Sequence, residues 1–243
     1  MNAAHLPIPI LVCGHTVPPL VPVRGDFPHW FRDGLGLDEE GAPAIDLPAG
    51  DALPPLERCG GLVVTGSPAM ATDGAPWSLA AEDFLRTAHE RGVPILGVCY
   101  GHQLLARALG GAADWNPNGR EIGTIEARLT DEGHTDRLFG SLGSPLVMQA
   151  SHSQSVSALP PGAVRLAFND HDSNQAFRMG ERSWGMQFHP EFDAEIIRGY
   201  IDHRADDLRD EGLDPAALIA ATRDDPRGAR LLRSFRDLVA SEA

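Results

Sequence analysis

The sequence predicts an α/β fold: a doubly wound, mostly parallel sheet with an antiparallel extension and a helical carboxyl-terminal tail. Three observations lead there. Short continuous apolar runs at 8–13 (IPILVC), 61–65 (GLVVT) and 93–98 (VPILGV) alternate with longer segments of helical apolar spacing. Runs of this kind are strands buried on both faces, the environment of a parallel sheet covered by helices. From about 120 to 190 the texture changes to short extended stretches and turns, and from 195 onward it is helical.

Taken in order, the first run ends at Gly14 and reads as a strand. Residues 17–55 are rich in Pro and Gly, with an aromatic cluster at Phe27, Trp30 and Phe31 that predicts a short helix over 27–35, followed by loop. The second run enters the turn Gly66-Ser67-Pro68. Residues 77–91 place Leu79, Phe84, Leu85 and Ala88 on one helical face, and Gly92 closes that helix. After the third run, 101–109 reads as a helix stopped by Gly110-Gly111. Extended segments are expected at 122–129, 146–150, 164–169, 174–179 and 184–189. In the tail, Ile196, Ile197, Tyr200, Leu231, Leu232, Phe235 and Leu238 form apolar stripes that fit either this chain's own sheet or a docked partner. Residues 1–243 read as a single domain, with a core over about 8–195 and a helical extension over about 196–243.

Composition narrows the chemistry. The 243 residues are 42% apolar and 22% charged, which is ordinary for a globular chain. Net charge is −14 with no basic tract, which argues against nucleic acid or an anionic membrane surface as partner. All 20 basic residues are arginine. The absence of lysine excludes a Walker-type phosphate loop and any Schiff-base chemistry, because each needs an amine. The amino terminus lacks the basic region of a signal peptide, and no run approaches the roughly 18 apolar residues of a membrane span. A cytoplasmic protein is expected. Cys13, Cys59 and Cys99 form no CxxC or Cys/His zinc pattern, and His5, His29, His89, His134 and His203 share no ligand spacing. No metal and no cofactor are expected.

The strongest local chemistry lies at Gly97-Val98-Cys99-Tyr100-Gly101, where an apolar strand runs directly into an apolar-periodic helix. This is the arrangement of a nucleophile elbow with Cys in place of Ser. Glycine on both sides relieves crowding at a strained strand-to-helix turn, and the sulfur faces the free N–H groups of the helix that follows. Cys13 and Cys59 lack that context and read as packing residues. A cysteine nucleophile needs a base close in space. His189-Pro190-Glu191 ends an extended segment, and residues i and i+2 share a face there, so Glu191 can hold the ring of His189. His102 and His152 read as scaffold or substrate-wall residues, and His171-Asp172 as a solvated turn.

Four segments together resemble the class I (triad) glutamine amidotransferases: Val63-Val-Thr-Gly-Ser-Pro68, Leu96-Gly-Val-Cys-Tyr-Gly-His-Gln103, Ser151-His152 and Gly185-Met-Gln-Phe-His-Pro-Glu191. Within that family the chain is most similar to the glutaminase portion of GMP synthase and to its stand-alone relatives, including gamma-glutamyl peptidases. The resemblance implies a flavodoxin-like sheet and a catalytic set of Cys99, His189 and Glu191. It implies an oxyanion hole from the backbone of Gly66, Ser67 and Tyr100, and substrate contacts from Gln103, Ser151, His152 and Ser153. Its implied substrate is glutamine or another gamma-glutamyl compound. Two positions depart from the common pattern, since Ser67 and Ser153 stand where many members carry glycine. No synthetase-type ATP-binding loop follows residue 195, so the expected ammonia acceptor reaction belongs to a separate synthetase chain. A free-standing gamma-glutamyl hydrolase and a catalytically quiet binding module are the other readings.

Overall fold

The computed structural model describes residues 6–241, and His5 lies outside them. In chain order the elements begin with β1 (Ile10–Val12), α1 (Val21–Arg24), α2 (Phe27–Leu35), β2 (Ala44–Asp46), β3 (Leu62–Val64), α3 (Pro76–Glu90), β4 (Ile95–Val98) and α4 (Tyr100–Ala108). There follow β5 (Ala112–Trp115), β6 (Glu121–Leu129), α5 (Asp131–Thr135), β7 (Leu146–His152), β8 (Gln154–Ala158), β9 (Val164–Phe168), β10 (Ala176–Met179) and β11 (Ser183–Met186). The chain then runs through α6 (Ala194–His203), α7 (Ala205–Asp210), α8 (Pro215–Ala221) and α9 (Arg227–Ser241).

Nine strands form one sheet in the order β2-β1-β3-β4-β11-β10-β9-β6-β7, and β5 pairs with β8 in a separate ribbon. The first five strands run parallel, and from β11 to β7 every pairing is antiparallel. This is the doubly wound sheet with an antiparallel extension that the apolar runs predict. Strand order reverses at β1, so the crevice for a ligand opens at the carboxyl ends of the parallel strands. Cys13, Thr65, Cys99 and Gln187 are the first residues beyond β1, β3, β4 and β11, and the site is assembled from these four strand ends.

Alternate residues of each strand feed two cores. Ile10, Val12, Val63, Leu96 and Trp184 face a cluster closed by α2, α6 and α9, while Leu11, Leu62, Val64 and Ile95 face one closed by α3 and α4. The tail's stripe is used within the chain. Leu231, Leu232 and Phe235 of α9 are fully buried, with the Phe235 ring edge-on to Trp184, and Leu232 packs where α2 carries Gly34.

Several expectations need correction. Leu79 is 47% exposed, not part of the buried face of α3. That face is Ser78, Ala81, Glu82, Leu85 and Ala88, because α3 and α4 interlock through polar side chains. Glu82 accepts from Arg107 at 2.8 Å, and the Tyr100 hydroxyl donates to Ser78 at 2.8 Å. The segment expected as loop before residue 55 contains edge strand β2, held in register by Asp46–Val12 pairing. Asp172 is not solvated but buried, accepting from the Asn174 amide at 2.8 Å, and burial raises its carboxyl. Among the described residues no helix is long and apolar enough to cross a membrane.

Candidate active site

Cys99 sits between β4 and α4 with φ +52°, the one non-glycine residue at positive φ among those described. Such backbone costs about 1–3 kcal/mol and persists only where its surroundings impose it. Here the surroundings are two tight contacts. A Cβ on Gly97 would lie 2.5 Å from the Gly101 carbonyl oxygen, and one on Gly101 would lie 2.3 Å from the Val64 carbonyl oxygen. Glycine at both positions lets α4 begin directly against β3 and β4. Gly101→Ala is therefore expected to destabilise the chain by about 2–3 kcal/mol, since the added methyl meets the Val64 backbone, which cannot swing aside as a flexible side chain would. A urea midpoint within experimental error of the parent would show that α4 slides freely and that the elbow is not fixed by this contact.

His189 follows β11 and is 3% exposed. Its amide donates to the Gln149 carbonyl at 2.8 Å, in an isolated antiparallel bridge to β7. Its ring stacks on Phe192 with centroids 4.0 Å apart, and Nδ1 lies 2.7 Å from Glu191 Oε1. At the ring's Cε1 edge, a Cβ on Gly66 would approach to 2.9 Å, so Gly66 gives the imidazole its place. Burial opposes charge on this ring. The negative charge of Glu191 and the neighbouring Cys99 sulfur, together with the hydrogen bond to Glu191, outweigh it and raise His189 to about 10. The His189 proton is thus held at neutral pH, on a ring that Glu191 holds at Nδ1 and that lines the cleft with Cys99.

Two recesses meet at Cys99. The larger, about 550 Å³, is lined by Val17, Phe27, Trp77, His189 and Tyr200 among others. The smaller, about 120 Å³, is lined by Tyr100, Gln103, His152, Ser153 and Gln154. Ser67, Cys99, Ser151 and Arg204 border both. The structure thus brings the expected residues together, although Gly66 and Glu191 border neither recess: Gly66 packs against the His189 ring, and Glu191 reaches that ring through Nδ1. The Tyr100 amide opens α4 and has no intrahelical acceptor.

Two of the expected substrate contacts are engaged internally. Gln103 donates from Nε2 to the Gln154 carbonyl at 2.8 Å and to Gln187 Oε1 at 3.1 Å. His152 bonds the Gln154 carbonyl at 3.0 Å and Glu121 Oε2 at 2.9 Å. Glu121 also accepts from Asn169 and Gln175, both at 2.6 Å. Burial alone would raise its carboxyl, yet these bonds hold it below the usual range. His102 is fully buried beside Phe177, and burial with the nearby His152 lowers it to about 3, which makes it a neutral scaffold ring.

Several residues at the site had no local signal in the sequence. Tyr200 from α6 lines the larger cleft and accepts from Thr16 Oγ1 at 2.9 Å. His15, on the rim, lies 2.7 Å from Asp26 and 3.0 Å from Asp46, and the bond to Asp26 raises it. Arg204, between α6 and α7, reaches the junction of both recesses. Among the described residues no group of three or more His, Cys, Asp or Glu is placed to hold a metal ion.

A nucleophile elbow at the carboxyl ends of a doubly wound sheet, with a carboxylate-held histidine beside the sulfur, defines a cysteine hydrolase or acyl-transfer site. Residues 46–198 match the family model "Glutamine amidotransferase class-I", and the chain belongs to that family. It is 33% identical over 170 residues to a glutamine-hydrolyzing GMP synthase subunit of Methanopyrus kandleri, covering 69% of this chain and 85% of the relative. It is 35% identical over 158 residues to the glutamine-hydrolyzing GMP synthase of Aeropyrum pernix, covering 65% of this chain but only 28% of that longer relative. The crystal structure of a glutamine amidotransferase from Methylobacillus flagellatus superposes with a TM-score of 0.75 at 28% identity, covering 97% of this chain and 93% of that one.

Proposed function

We propose that the chain hydrolyses the gamma-amide of glutamine through a Cys99 thioester and supplies the ammonia to an acceptor reaction on a separate chain. The observation that carries this reading is the strained Cys99 elbow with His189 beside it and Glu191 held 2.7 Å from the far ring nitrogen. The Cys99 sulfur attacks the gamma-carbonyl carbon, and the amides of Ser67 and Tyr100 receive the oxyanion. His189 gives its proton to the departing nitrogen as the C–N bond breaks, and ammonia leaves. A water then loses a proton to His189, attacks the thioester, and releases glutamate and the thiolate. The set is complete without a cofactor. That the Methanopyrus kandleri relative is one subunit of its enzyme supports a partner chain carrying the acceptor reaction. No part of this chemistry calls for nucleic acid or a membrane surface, and the cytoplasm is the compartment proposed.

The larger cleft supports a second reading. At about 550 Å³ on the His189 side, it far exceeds the space needed by ammonia. A gamma-glutamyl amide with a bulky, apolar leaving amine fits such a cleft, as a free-standing gamma-glutamyl peptidase would require. The isolated chain is expected to show weak glutamate release from glutamine. The assay compares glutamine with gamma-glutamyl dipeptides. Cleavage of a dipeptide at kcat/KM of ~10⁴ M⁻¹s⁻¹ or above, with glutamine barely touched, would overturn the ammonia-supplying reading in favour of the peptidase.

A further inference from the structure

The two recesses at Cys99 divide a gamma-glutamyl substrate between them. His189 lines only the larger one, so the nitrogen it protonates departs on that side. The acyl half, with its α-amino and α-carboxylate groups, is then left to the smaller recess, where Tyr100, Gln103, Ser153 and Gln154 supply polar walls. This assignment rests on the proposed roles of Cys99 and His189.

Two cations line the smaller recess, Arg120 and Arg204. Arg120 is already satisfied, with Nε and Nη2 each 2.8 Å from a Glu211 carboxylate oxygen. Arg204 has no such partner: its Nε is buried without a hydrogen bond, and no carboxylate lies within ion-pair distance of it among the described residues. Burial and the neighbouring Arg120 both hold its guanidinium below the usual range. A half-buried guanidinium left unpaired is costly, and an anion delivered beside it removes that cost. Gln154 shows the complementary vacancy. It donates from Nε2 to Thr72 Oγ1 at 2.7 Å and keeps Oε1 buried without a partner. An unpaired donor fork and an unpaired acceptor in one recess match the two charged ends of an amino acid.

We infer that Arg204, delivered by the carboxyl-terminal helical segment, binds the α-carboxylate of the gamma-glutamyl group, while Gln154 Oε1 accepts from its α-ammonium. Arg204 is then a specificity-determining residue on the acyl side, and it acts on binding rather than on the chemical step.

The test follows inactivation of Cys99 by 6-diazo-5-oxo-L-norleucine, which carries both charged groups, with iodoacetamide as a thiol probe that carries neither. In Arg204→Gln the half-saturating concentration of the diazoketone should rise about 10- to 100-fold, as loss of a charge-assisted pair to a carboxylate predicts. The limiting rate and the iodoacetamide rate should stay within about threefold, and Arg204→Lys should recover part of the loss. In the parent protein, glutamine should protect Cys99 from iodoacetamide about 10- to 100-fold more effectively than 4-aminobutanamide, which lacks only the carboxylate. Arg204→Gln should erase that difference. Unchanged half-saturation in Arg204→Gln, with the parent labelled at Cys99, overturns the role of Arg204 and leaves the nucleophile standing. No diazoketone labelling of Cys99 in the parent defeats the nucleophile reading itself. Should Arg204→Gln lose its cooperative melt, the comparison on the parent protein decides, and equal protection by the two amides overturns the proposal.

Discussion

Cys99→Ala is expected to reduce glutamate release by roughly 10⁶-fold, to the level of the uncatalysed background, because no other group can form the thioester. The loss should be chemical and not structural. Cys99 is 6% exposed and its sulfur makes one long contact, 3.9 Å to the Ser151 carbonyl, so alanine removes little packing. The urea midpoint should move by less than about 1 kcal/mol equivalent. The other two thiols cannot substitute. Burial drives the Cys13 thiol far up, and burial with the nearby Glu57 carboxylate raises Cys59 to about 11, so neither is nucleophilic at neutral pH. A glutamine-like diazoketone should accordingly label Cys99 alone, and Cys13→Ala and Cys59→Ser should retain most activity. Mass mapping that places the label on Cys13, or turnover that survives in Cys99→Ala, would reject the assignment.

The elements that place this site are legible because each leaves a pattern in local sequence. A parallel strand buried on both faces is an uninterrupted apolar run, and 61–65 and 93–98 contain β3 and β4. The elbow is legible because its geometry demands glycine: Gly97 and Gly101 stand where backbone oxygens approach to 2.5 and 2.3 Å of a built Cβ. His189 and Glu191 are legible as a pair two residues apart at a strand end. What is not legible depends on partners distant in sequence. Strand β2 is three residues at a sheet edge, none of them fully buried, with no apolar run to mark it. The face of α3 escapes the apolar pattern because Glu82 and Ser78 turn inward only where Arg107 and Tyr100 of α4 await them. The family resemblance assigns Gln103 to substrate, yet its amide is bound to Gln154 and Gln187, residues 51 and 84 positions away. Arg204 is one of many arginines in a polar tail, and only the break between α6 and α7 aims it at the site.

His189→Ala should lower turnover by about 10⁴-fold or more, since it removes the group that protonates the leaving nitrogen and activates water. Glu191→Gln should cost less, roughly 10²-fold, because the amide oxygen can still accept from Nδ1 and hold the ring while the carboxylate charge is lost. The geometry supports this ranking. The His189 ring is fixed by more than Glu191, being stacked on Phe192 at 4.0 Å, backed by Gly66 and anchored at its amide to Gln149. Removal of the carboxylate charge therefore changes the ring's basicity more than its position. The charge of Glu191 helps to raise His189, so neutralising it must lower the pKa of the ring. The pH–rate profile of Glu191→Gln should show the limb governed by protonated His189 displaced toward lower pH, while Cys99 labelling by iodoacetamide persists. Two results would change the account. A Glu191→Gln variant as impaired as His189→Ala would mean that Glu191 does more than orient and charge the ring. An unshifted profile would mean that its charge is not felt at His189, and that the 2.7 Å contact serves position alone.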